Sequence, residues 1–277
     1  MYPEDADPID SDATLASLVT ARPELASHLN QLGLDFCCGG QRRFVDAVDE
    51  QGLDLAETLA VLQSVPEPAD SPDVADGWNK LGMVELVDHL ESTHHVYLRD
   101  ALPRLDAIAT KVASVHGDNH PELEQVLSTF RALRADLEPH LMKEEQVLFP
   151  MIRQLEAATE ALSFHCGTLL NPIAVMSSEH DRTGELLARL RSLTDAYTVP
   201  DDGCASYQLL YTGLAELEAD THLHVHKENN LLFPAAIDAE QALHQAQGES
   251  ADMETGLPKR RSSPCPDLGG GGIEPNR

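Results

Sequence analysis

The stretch His140-Leu141-Met142-Lys143-Glu144-Glu145-Gln146-Val147-Leu148-Phe149-Pro150 returns 84 residues later as His224-Val225-His226-Lys227-Glu228-Asn229-Asn230-Leu231-Leu232-Phe233-Pro234, with six of the eleven positions identical. Residues at i and i+4 stand one turn apart on a single helix face, so His140 with Glu144, and His224 with Glu228, can each address one metal position. The spacing alone decides little. With 47 acids among 277 residues, 13 histidines yield about two such pairs by chance, and His120 with Glu124 supplies a third pair. What composition does not explain is that two pairs occupy equivalent places in a repeat, each followed by the same Leu-Phe-Pro.

A second alignment, shifted by 85, sets His95, Leu102, Arg104 and Leu105 on His180, Leu187, Arg189 and Leu190. The chain therefore reads as a duplicated helical hairpin, and a bundle with pseudo-twofold symmetry brings equivalent residues of its halves together. His95 and His180 join the site on that ground. Helical periodicity alone accepts His94 as readily as His95, because Val87, Leu90 and Leu98 share its face. Four imidazoles and two carboxylates suit two non-haem iron ions. If both glutamates bridge, each iron has two imidazoles and two oxygens, leaving room for solvent, dioxygen or nitric oxide. Zinc favours a closed tetrahedral cage and calcium an all-oxygen shell. A single histidine on an amphipathic helix is more often an ordinary core or surface residue. His89, His94, His222 and His226 are accordingly read as solvent-facing or as neighbours of the ligands, and His28, His116, His120, His165 and His244 as surface residues.

These side chains need long helices to hold them. From about Trp78 to Ala246 amphipathic patterns dominate, with breaks near Val115–Pro121, Phe164–Pro172 and Val199–Gly203. Three breaks leave four helices. The expected fold is all-α: an up-down four-helix bundle at 78–246 preceded by a small helical domain at 1–64, with a proline- and acid-rich linker at 65–77. The Gly-, Pro- and Ser-rich segment 247–277 is expected to be a disordered tail.

Composition narrows the partners. A formal charge of −28 repels phosphate backbones and anionic membranes, which argues against nucleic acid. No apolar run is long enough to span a bilayer, the first twenty residues lack the basic start of a signal peptide, and five scattered cysteines do not form a disulfide framework. A cytoplasmic location is expected. The oligomeric state stays open, a homodimer included.

Cys37 and Cys38 lie in Asp35-Phe36-Cys37-Cys38-Gly39-Gly40, a loop by its glycines. A vicinal thiol pair can simply be packed in a tight turn, or can bind soft metal, trap nitric oxide or cycle through oxidation. Adjacent cysteines form only a strained, easily reduced disulfide.

This Asp-aromatic-Cys-Cys-Gly-Gly motif, Ser178-Glu179-His180, and the stretches His140–Pro150 and His224–Pro234 together resemble the hemerythrin-like superfamily, and within it the iron–sulfur cluster repair di-iron proteins. The resemblance covers about Asp12 to Ala236. It implies a hemerythrin-like bundle whose metal ligands are His95, His140, Glu144, His180, His224 and Glu228, with both glutamates bridging a di-iron centre. It also implies repair of iron–sulfur proteins damaged by oxidative or nitrosative stress, with Cys37 and Cys38 as redox or iron-transfer thiols. Pro139, just before His140, departs from the pattern and should kink its helix. Alternatives are nitric oxide reduction at the same centre, or sensing of dioxygen or nitric oxide or storage of iron without catalysis.

Overall fold

The computed structural model describes residues 9–66, 77–164 and 167–255, with side chains described to residue 247. These residues form eight helices and no strand. The first four are short: α1 (Leu15–Ala21), α2 (Ala26–Gln31), α3 (Phe44–Glu50) and α4 (Leu55–Gln63). Thr14 Oγ1 accepts the Ser17 N–H at 3.1 Å and Asp54 Oδ1 accepts the Glu57 N–H at 2.8 Å, which satisfies donors that α1 and α4 would otherwise leave unpaired. Leu15, Val19, Leu25, Leu29, Phe36, Phe44 and Leu62 close a small core.

The other four are long. Helix α5 (83–116) joins Met83–Leu90, a π turn at Glu91–His95, and Val96–His116. Helix α6 (122–156) joins Glu122–Lys143, a π turn at Glu144–Leu148, and Phe149–Glu156. Helix α7 is Leu170–Leu193; helix α8 (205–255) joins Ala205–Lys227, a π turn at Glu228–Leu232, and Phe233–Thr255. Helix α6 packs against α5 and α7, and α8 packs against α5.

Two apolar clusters fill the bundle. One runs from Leu98 to Leu141 and on through Leu187 to Leu217, while the other gathers Leu86, Leu90, Leu148, Phe149, Ile152, Met176, Leu232 and Phe233 at the opposite end. Between them lies one polar layer.

Helix α8 continues to Thr255, past the Ala246 boundary expected from sequence. A single glycine costs a helix only about 1 kcal/mol relative to alanine, so Gly248 does not end it. Residues 256–277 of the expected tail and 67–76 of the expected linker lie outside the described residues, as do His165, Cys166 and Cys265.

Candidate metal centre

Each of the six predicted side chains comes from the polar layer. His95 closes the π turn of α5, His140 and Glu144 come from α6, His180 from α7, and His224 and Glu228 from α8. All six are buried. Glu144 and Glu228 each open a π turn that ends immediately before Phe149-Pro150 or Phe233-Pro234. Proline has no N–H to return to the carbonyl four residues earlier, so the Leu-Phe-Pro repeat suits the wider turn. The chain stays helical through Pro139 in Glu122–Lys143, and His140 reaches the cluster.

The donors fall into two groups that share their carboxylates: His95, Glu144, His224 and Glu228 in one, and His140, Glu144, His180 and Glu228 in the other. Within each group the ligand atoms lie within 4.8 Å of one another. Glu144 turns Oε2 toward His95 Nε2 at 3.5 Å and Oε1 toward His140 Nε2 at 3.0 Å. Glu228 turns Oε1 toward His224 Nε2 at 3.4 Å and Oε2 toward His180 Nε2 at 3.1 Å. One oxygen of each acid therefore serves each group.

Hydrogen bonding shows whether cations fit. Glu145 Oε1 accepts His95 Nδ1–H at 2.7 Å, Glu179 Oε2 accepts His140 Nδ1–H at 2.9 Å, and Asn229 Oδ1 accepts His180 Nδ1–H at 2.9 Å. In neutral rings these bonds leave the lone pairs on Nε2, yet His140 Nε2 and His180 Nε2 face each other at 3.1 Å. His95 Nε2 and all four oxygens of Glu144 and Glu228 are buried without a hydrogen-bond partner. Lone pairs that converge in a dry layer repel unless protons or cations lie among them. The residues fit a pair of cations held by two nitrogens and two shared carboxylates.

Titration follows the same logic. Burial would lower His140, but Glu144, Glu228 and Glu179 outweigh it and push it up to about 9. His224 rises for the same reason, burial being outweighed by Glu228 and Glu144. Burial would raise Glu228, yet His224 and His180 hold it well below the carboxylate range. His95 is lowered, because burial and neighbouring His224 prevail over the glutamates. Glu145 and Glu179 overcome burial and fall through hydrogen bonds from His95 and Arg99, and from Lys143 and His140.

Several neighbours carry more than their sequence suggested. Of the two readings left open for His94 and His226, solvent-facing or beside the ligands, burial excludes the first, and His94 stacks on His224. His94 donates Nδ1–H to Asp220 at 2.8 Å and accepts from Lys227 Nζ at 2.8 Å. Lys227, itself buried, also donates to His89 Nε2 at 2.9 Å and sits 5.0 Å over the Trp78 ring. His226 donates to the Phe36 carbonyl at 3.2 Å and accepts from Thr20 at 3.2 Å, so it fastens the small domain to α8. Burial pushes it down to about 4, which keeps it neutral. Asn230, in the π turn of Glu228, donates to the Cys37 carbonyl at 3.0 Å. Gly40 allows this approach, since a Cβ there would lie 2.9 Å from Asn230 Oδ1 and 2.4 Å from the Phe36 carbonyl.

The Cys37–Cys38 loop is organised by Asp35, whose carboxylate accepts the backbone N–H groups of Cys37, Cys38 and Gly39 at 3.0, 3.0 and 2.8 Å. The two sulfurs are free thiols 4.0 Å apart. A hydrogen bond to Cys38 and burial push the Cys37 thiol well above its ordinary value. Both cysteines line a cavity of about 380 Å³ whose far wall is Asp181, Gly184 and Glu185 of α7 and Glu218 and His222 of α8. A Cβ added at Gly184, one turn from His180, would lie 3.9 Å from Cys38 Sγ.

Residues 86–236 match the Hemerythrin HHE cation binding domain, and residues 11–66 match the domain of unknown function DUF542. The iron-sulfur cluster repair protein YtfE of Cronobacter sakazakii is 35% identical over 83% of this chain and 98% of its own length. A probable iron-sulfur cluster repair protein of Haemophilus influenzae is 34% identical over 81% of this chain and 96% of its own. The YtfE protein of Escherichia coli O157:H7 is 34% identical, covering 83% and 98%. A buried layer of histidines and shared glutamates inside an HHE bundle, preceded by a Cys-Cys domain and matched along nearly the whole length of these relatives, means that the chain belongs to the iron–sulfur cluster repair protein family.

Proposed function

We propose that the bundle holds two iron ions, one on His95 and His224 and one on His140 and His180, bridged by Glu144 and Glu228, and that the chain gives iron to damaged iron–sulfur clusters in the cytoplasm. The observation that carries this reading is the convergence of unpaired imidazole and carboxylate lone pairs in a buried layer. Iron held there would supply redox and Lewis-acid chemistry.

The chain's own residues provide the rest. Glu145, Glu179 and Asn229 aim three imidazoles, and the apolar clusters on either side keep water from the carboxylates. Glu145 and Glu179 are paired outward to Arg99 and Lys143, both about half exposed, so the outer shell is reachable from solvent while the ligands are not. Cys37 and Cys38 offer soft sulfur at the cavity beside α7, a second holding point where iron leaving the bundle would displace the thiol protons, that of Cys37 being firmly held.

The test incubates iron-loaded protein with a dehydratase stripped of iron from its cluster and follows recovered activity. Recovery above that given by equal free ferrous iron supports donation. Recovery no better than free iron removes it, and nitrous oxide formed from nitric oxide by the reduced protein would favour gas reduction instead.

A further inference from the structure

The two metal positions are not supported alike. Of the four imidazoles, three have their Nδ1 fixed by a side chain: His95 by Glu145, His140 by Glu179 and His180 by Asn229. His224 Nδ1 meets no hydrogen-bond partner among the described residues, although the ring is buried. His224 is instead stacked on His94, with ring centroids 5.3 Å apart and planes within 5°. His94 can serve as that backing because both of its nitrogens are held, Nδ1–H by Asp220 one turn before His224, and Nε2 by Lys227, which precedes Glu228. A stack limits the tilt of a ring but does not fix its rotation within the plane, whereas a hydrogen bond to Nδ1 fixes both the tautomer and the aim of Nε2.

Resting on the two-iron reading above, we propose that iron held by His95 and His224 is the exchangeable ion, that iron held by His140 and His180 is the retained one, and that His94 is the positioning residue that backs His224 in place of the missing Nδ1 bond. Losing an outer partner of a histidine ligand typically weakens metal binding by about 10–100-fold. The position that lacks one such partner should therefore release its iron faster by about that factor, and the protein that donates iron would do so one ion at a time.

The experiment mixes protein loaded with two ferrous ions with excess chromophoric ferrous chelator under anaerobic conditions and records release, with Mössbauer spectra of 57Fe protein before and after the first equivalent leaves. Two equal phases separated by about tenfold or more are expected, with a single mononuclear ferrous signal remaining between them. His94→Ala should quicken the fast phase alone, and Asn229→Ala the slow phase alone. Should His94→Ala fail to fold, Asp220→Asn, at a partly exposed side chain that clamps His94, should quicken the fast phase by a smaller factor. Release of both ions at one rate overturns the inequality, as does His94→Ala or Asp220→Asn leaving the fast phase unchanged or hastening the slow one. Fewer than two irons bound at the outset is a different failure: it sinks the two-iron reading itself.

Discussion

Replacing Glu228 by glutamine keeps the shape of the side chain and removes its charge. Oε1 faces the His95–His224 group and Oε2 the His140–His180 group, so a single substitution should strike both metal positions. Its size can be set from Coulomb's law. An ion among donors that lie within 4.8 Å of one another is closer than that to each carboxylate. At about 4 Å and an effective dielectric constant of about 20, one pair of unit charges is worth about 4 kcal/mol. That is roughly a thousandfold in affinity, and a divalent ion feels more. His224→Ala removes a neutral ligand from one group only. Competitive titration of each variant with ferrous ion against a chromophoric chelator should show Glu228→Gln weaker by at least about a thousandfold at both positions. His224→Ala should keep one strong position. A Glu228→Gln protein that still holds one ion at wild-type affinity would refute the shared-carboxylate geometry.

Asp35→Ala removes the acceptor of three loop N–H groups, at about 1 kcal/mol each, so urea titration should show the small domain destabilised by about 2–3 kcal/mol; an unchanged midpoint would contradict the role given to Asp35. Asn230→Ala should lower hydrogen-exchange protection of the Cys37 loop by roughly tenfold while metal content stays at its wild-type value, and unaltered exchange would show that Asn230 does not tether the domains. Cys204 at the start of α8 is held down to about 7 by the Tyr207 backbone N–H and by His116. Its thiolate fraction rises as pH climbs through that value. Alkylation of Cys204, followed by peptide mass spectrometry, should therefore be half-maximal near pH 7, while Cys37, raised well above its ordinary value, stays protonated and unreactive there. A Cys204 profile centred near 9 would contradict this.

The cluster was legible because duplication wrote it twice: the repeat singled out the six residues that the fold brings together before any helix was positioned. What periodicity could not do was separate His94 from His95. Both turn inward because they end a π turn, which widens the helix and lets consecutive residues reach two different sets of neighbours, Lys227 with Asp220 for His94 and Glu144 with Glu145 for His95. A 3.6-residue pattern has no place for such a turn. The only trace of the π turns in α6 and α8 was the proline of Leu-Phe-Pro. Burial of Lys227 and His226 was hidden for a different reason. Both are satisfied by residues far away in the chain, His89, His94 and Trp78 for the lysine and Thr20 and Phe36 for the histidine, and such pairings follow from how the small domain sits on α8. The Cys-Cys motif marked a loop, but the cavity it faces is made by α7 and α8 and could not be read from the motif.

The most direct test of the paired metal positions is anaerobic iron loading of the full chain, with metal analysis and Mössbauer spectroscopy of the oxidised form. Two irons per chain in an antiferromagnetically coupled, diamagnetic ground state are expected from two groups that share Glu144 and Glu228. One zinc per chain, or irons that are not coupled, would contradict it.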